Sequence, residues 1–144
     1  MTMYSPGGTG TRTSKVALWS IQGLLAALFL FAGGIKLVMP IEMMKGPVEL
    51  PGVFLRFIGV CEVLGAIGLI LPELLRIKRM LTPVAAAGLT IIMVGATVMT
   101  AMGGSLAPAV VPFVVGVLLS VVAYARGRAF AQPASHAPAL KAVA

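Results

Sequence analysis

RFIGVCEVLGAIGLIL, residues Arg56–Leu71, is apolar enough to sit in a bilayer and yet carries Glu62 near its middle. Only four acidic residues occur among the 144. The other three, Glu42, Glu49 and Glu73, fall where loops are expected. A carboxylate at membrane depth costs ~2.5–3.5 kcal/mol on insertion scales, so it must pair, neutralise, or face a wet or protein-lined cavity. What Glu62 faces therefore decides how the chain is read.

Outward from that stretch, the second helix is expected over 53–71, with Arg56 snorkelling to the headgroups and Pro72 as its stop. Upstream, Val16 to Ile35 carries no charge and is long enough for the ~30 Å hydrocarbon core, giving a first helix over 16–39 that ends at Pro40. A cleaved signal peptide cut near Ala32-Gly33-Gly34 is the competing reading, but the apolar run is long for one. Downstream, Met80 to Ala125 has no charge at all. As one helix it would be ~69 Å long, so it folds back at Gly103-Gly104-Ser105. The third helix is placed at 83–102, with Thr82 as N-cap and Pro83 at the first position, and the fourth at 108–125, kinked at Pro112. The expectation is an all-α membrane protein, an antiparallel bundle of four transmembrane helices occupying 16–128, with flexible tails at 1–15 and 129–144.

Composition supports this class and excludes others. Hydrophobic residues make up 59% and charged residues 10%, with a mean hydropathy of +1.05, far from the balance of a soluble domain. The net charge of +7 does not form a nucleic-acid-binding stripe, because the basic residues cluster between apolar runs. Eight of the eleven Lys and Arg (Arg12, Lys15, Arg76, Lys78, Arg79, Arg126, Arg128 and Lys141) fall on the side of the two tails and the middle connection. Lys36, Lys45 and Arg56 fall on the other, so the positive-inside rule places both termini in the cytoplasm. One cysteine, Cys61, excludes an internal disulfide, and the single histidine, His136, excludes a bis-histidine haem. No metal-ligand cluster, nucleotide-binding loop or nucleophilic triad is visible, and Met93, Met99 and Met102 read as packing or lipid-facing residues.

Gly33, Gly59, Gly65, Gly88 and Gly95 are expected at helix contacts, where close approach replaces hydrophobic burial as the driving force. The fourth helix offers a similar period in Pro112, Gly116, Ser120 and Tyr124. Side chains lean toward a helix's N-terminus, so Lys36 on the outgoing first helix and Glu62 on the returning second lean toward each other. They start at depths of ~6 Å and ~14 Å at ~1.5 Å per residue, a gap long side chains close. A Lys36–Glu62 pair follows, flanked by Gln22 and by Thr90 or Thr97. It is either a structural ion pair or one wall of a polar pocket for a small ligand or a proton.

The blocks LFLFAGGIK (28–36), FIGVCEVLGAIGL (57–69), LTPVAAAGL (81–89) and MVGA (93–96) resemble the DoxX-like family. The resemblance implies a small four-span protein of the bacterial inner membrane. The family takes its name from a subunit of a thiosulfate:quinone oxidoreductase, and some relatives are associated with membrane complexes that handle thiols and oxidative stress. It implies an accessory or anchoring subunit of such a redox system, with a quinone or small sulfur compound as ligand and the electron carriers in a membrane or cytoplasmic redox partner. Lys36, Glu62, Gly59 and Gly33 are the positions carried over. Relatives often have a histidine near the end of the third helix, where this chain has Thr97, Thr100 and Met102. A small proton-coupled transporter-like subunit and a ligand-free helical interaction protein are the alternatives, and a homo-oligomer is compatible with all three.

Overall fold

In hydrocarbon no water is available for backbone N–H and C=O groups, so each uncharged run satisfies them internally as a helix. A computed structural model describes residues 10–46, 48–104 and 106–131. It contains α1 (Gly10–Val38), a single 3-10 turn (Ile41–Met44), α2 (Gly52–Leu74), α3 (Leu81–Met102) and α4 (Leu106–Ala131). All four helices are long and apolar enough to cross a membrane. α1 begins ahead of the expected boundary and takes in residues 10–15, while α4 extends to 131. Residues 1–9 and 132–144, including His136, lie outside the described part.

Two helix ends differ from expectation for identifiable reasons. α2 does not stop at Pro72 but runs through it to Leu74. Pro72 gives up its own N–H bond and crowds the carbonyl four residues back, but with two helical residues left after it the disturbance is confined to the last turn, which closes beyond it. Ile77 N donates to Pro72 O at 3.0 Å and Arg76 N to Glu73 O at 3.4 Å, a Schellman closure with Arg76 in the left-handed region at φ 55°. Glu73 is thereby inside the helix rather than in a loop. Thr82 is not an N-cap: α3 starts at Leu81, one residue earlier, and Thr82 is buried with its hydroxyl unpartnered. The reversal after α3 falls where glycine allows it, with Gly104 at φ +88°.

The helices pack in sequence, α1 on α2, α2 on α3, α3 on α4, and the contact of α1 with α4 that closes the ring is the smallest of the four. One end of the bundle carries residues 39–46 and 48–51 and the α3–α4 turn, here called the loop end. The other, the termini end, carries the α2–α3 connection and the outer ends of α1 and α4. The core runs through Leu25, Phe29, Leu69, Leu89, Leu119 and Val122. Outside it the surface is just as apolar, with Leu24, Phe31, Val53, Ile91 and Val111 fully out, as suits a bundle solvated by lipid.

Backbone contact decides the α1–α2 crossing. A Cβ on Gly33 would stand 2.7 Å from Gly59 O and 2.9 Å from Val63 Cγ2, and one on Gly59 would stand 3.1 Å from Gly33 O. Gly65 likewise admits Leu89. Gly88 and Gly95 do not belong to this set, since a Cβ at either meets nothing within 4 Å. α3 turns Thr82, Ala86, Leu89 and Met93 inward, and a 3.6-residue period carries positions 88 and 95 off that face.

Candidate functional site

The Gly33–Gly59 contact brings the next turn of α1 against α2, and Lys36 meets Glu62 there. Lys36 Nζ donates to Glu62 Oε2 at 2.8 Å and Oε1 at 3.1 Å. The two side chains are unequally placed: Glu62 is 3% exposed and Lys36 30%. The carboxylate is sealed behind the ammonium, and the ammonium is what a visiting molecule meets. Lys36 also lies in the last turn of α1, where the helix dipole favours a cation.

Arg56 fixes that turn. Instead of reaching for headgroups, it donates from Nη1 to Lys36 O at 2.9 Å and to Leu37 O, and from Nη2 to Met39 O at 3.0 Å. The final carbonyls of a helix have no intrahelical donor, and within a membrane the need for one draws the guanidinium onto α1. Lys36 is thus held by its carboxylate on one side and by a clamped backbone on the other.

A cleft of ≈ 670 Å³ opens beside the pair. α2 supplies Phe54, Phe57, Ile58 and Cys61, α3 supplies Ile92, Ala96, Met99 and Thr100, and the loop supplies Ile41, Met44, Val48 and Leu50. Lys45 and Glu49 stand among the loop residues. Largely apolar walls with the Lys36–Glu62 pair as a fixed polar corner, and Lys45 and Glu49 on the loop side, suit an amphiphile of drug-like size.

Gln22 is not part of this site. α1 is continuous, so Gln22 lies ~21 Å from Lys36 along the axis at ~1.5 Å per residue. It sits wholly buried toward the termini end, donating to Leu69 O at 2.9 Å and to Glu73 Oε2 at 3.3 Å. Arg126 completes the cluster, donating from Nε to Gln22 Oε1 at 2.9 Å and pairing with Glu73. Its guanidinium also lies 5.8 Å from the centroid of the Trp19 ring. This second polar centre joins α1, α2 and α4. Sequence reasoning missed it because Pro72 reads as a helix stop, which puts Glu73 in a loop; Gln22 standing in the uncharged run 16–35 was the available signal.

The threonines are not brought to the pair either. Thr90 Oγ1 donates to Ala86 O at 2.8 Å and Thr97 Oγ1 to Met93 O at 2.7 Å, each on its own helix. Thr100 and Cys61, which line the cleft, were not singled out as ligand contacts; side-chain type alone does not distinguish a cleft wall from a lipid face.

Four apolar membrane-length helices with ionic contacts buried between them define a multi-pass integral membrane protein. A family model described as the DoxX-like family matches residues 20–122, and the chain belongs to that family. No curated protein and no solved structure matches it.

Proposed function

We propose that the cleft at the loop end binds a small amphiphile with a hydrogen-bond-accepting head, a quinone being the class that fits, and that the protein serves as the membrane-embedded accessory subunit of a redox system. The observation that carries this is the unequal exposure of the pair: the accessible group is a donor. Lys36 donates to a ligand oxygen, and Glu62 orients Lys36 and balances its charge. The cleft walls take the apolar ring and the first part of a tail. A small thiol or sulfur compound fits the apolar space but leaves the lysine less well used. Electron carriers then reside in a partner protein. The basic bias of the termini end supports a cytoplasmic location for both termini, and membership of the DoxX-like family supports the inner membrane of a bacterium.

Cys61 provides the test, since it is the sole cysteine and lines the cleft. In nanodiscs, decylubiquinone is expected to slow alkylation of Cys61 by N-ethylmaleimide, and the double variant Lys36→Met with Glu62→Leu to abolish the protection. Alkylation unaffected by the quinone contradicts the reading. One observation favours a second reading, a transporter-like subunit: a cleft open at one end and a polar clamp (Gln22, Glu73, Arg126) at the other resemble one half of an alternating-access cycle. Proton-coupled flux in liposomes that is lost in Glu62→Gln would select it.

A further inference from the structure

A groove of ≈ 600 Å³ runs between α3 and α4 on the outside of the bundle, lined by Ala87, Thr90, Ser120, Ala123, Tyr124 and Arg128. Three features describe its occupant. First, its length is that of one leaflet. From Ser120, near the middle of α4, to Arg128 is ~12 Å at ~1.5 Å per residue, close to half of the ~30 Å hydrocarbon core. Second, its floor is apolar in practice although two hydroxyls line it. Thr90 Oγ1 donates to Ala86 O and Ser120 Oγ to Gly116 O, each at 2.8 Å, so both donors are spent on their own helices. Small residues at 87, 123 and 127 keep it open. A hydrocarbon chain is suited to it and a polar solute is not.

Third, the mouth carries an oriented cation. Arg128 Nη1 donates to Tyr124 Oη at 2.9 Å, and the guanidinium carbon lies 5.4 Å from the centroid of the Tyr124 ring. Among the described residues, Arg128 has no carboxylate partner, and Glu73, the one acid at that end, is paired with Arg126. Among the described residues the remaining N–H donors of Arg128 have no hydrogen-bond partner and can take an anion, with Arg76, Lys78 and Arg79 on the same end of the bundle. The geometry points to a site for one anionic phospholipid, its phosphate on Arg128 and an acyl chain in the α3–α4 groove down to the bilayer midplane. This site shares only Ile91 of α3 with the cleft and does not depend on what the cleft binds.

The test is native mass spectrometry of the full chain released from nanodiscs of equimolar phosphatidylglycerol and phosphatidylcholine. Wild type is expected to retain one phosphatidylglycerol in preference to phosphatidylcholine. Arg128→Gln is expected to reduce that preference about fivefold. Gly127→Leu, which keeps the charge and fills the groove, is expected to reduce retention of either lipid, and Arg79→Gln to have little effect. Equal retention of the two lipids by wild type overturns the proposal. So does an Arg79→Gln effect as large as that of Arg128→Gln, which would mean diffuse surface charge, or a lipid-free dimer joined over this face.

Discussion

Replacing Lys36 by Met should destabilise the protein far more than replacing Glu62 by Leu, and the difference follows from the geometry of the pair. In Lys36→Met, the carboxylate of Glu62 loses both contacts, at 2.8 and 3.1 Å, and at 3% exposure water cannot replace them. Breaking a buried pair in this way costs ~3–5 kcal/mol, much of it the penalty of the charge left behind. In Glu62→Leu the orphan is an ammonium that is 30% exposed on a flexible stem and already near the negative end of α1. It can reach water or headgroups, so the loss should be ~1–2 kcal/mol. The double variant Lys36→Met with Glu62→Leu removes both charges and should lie within ~1 kcal/mol of wild type. Reversible unfolding in mixed micelles, followed by circular dichroism, closes the cycle. The reasoning is refuted if Lys36→Met costs no more than Glu62→Leu, or if the double variant is as unstable as Lys36→Met.

Other parts of the fold make separate predictions under the same assay. Gly33→Ala forces a Cβ against the Gly59 carbonyl, which is backbone and cannot turn aside, and should cost ~1–3 kcal/mol. Gly88→Ala meets open space and should be neutral or stabilising by up to ~1 kcal/mol, so equal losses at the two glycines would contradict the assigned contact face. Arg126→Met leaves Glu73 and Gln22 short of a donor at a site about 15% exposed, and should cost ~2 kcal/mol. An unchanged unfolding free energy would show that the clamp holds nothing together. Arg76→Gly should stabilise by ~1 kcal/mol, because Arg76 occupies the left-handed cap position of α2 without glycine's freedom.

The spans were legible because charge is absent over lengths that only a membrane helix explains, and because Gly103-Gly104 marks the one place the long third run can reverse. The Lys36–Glu62 contact was legible from side-chain lean on antiparallel helices, a property of the backbone that needs no tertiary information. Other features depended on packing that sequence does not encode locally. Whether Gly88 or Leu89 faces inward is a rotation of ~100° about the axis of α3, and the uniformly apolar α3 carries little signal of that rotation. Arg56 read as a snorkelling residue because its partner, the last turn of α1, is a backbone end and leaves no mark in residue type. Gln22, Glu73 and Arg126 are far apart in sequence and meet only because α2 continues through Pro72. The cleft arises from the way loop residues 39–46 and 48–51 and the outer halves of α2 and α3 stand beside the pair, a shape invisible in any single segment.

Lys36 is the donor that a ligand meets in the proposed cleft. The most direct measurement is the affinity of decylubiquinone for the wild-type protein and for the double variant Lys36→Met with Glu62→Leu, both in nanodiscs, since that variant is expected to keep its fold. Binding by wild type that weakens at least about tenfold in the double variant, the effect of losing a charge-assisted hydrogen bond worth ~1.5–3 kcal/mol, is the predicted result. Equal affinity in two equally folded proteins would contradict it, and the pair would then be a structural tie between α1 and α2.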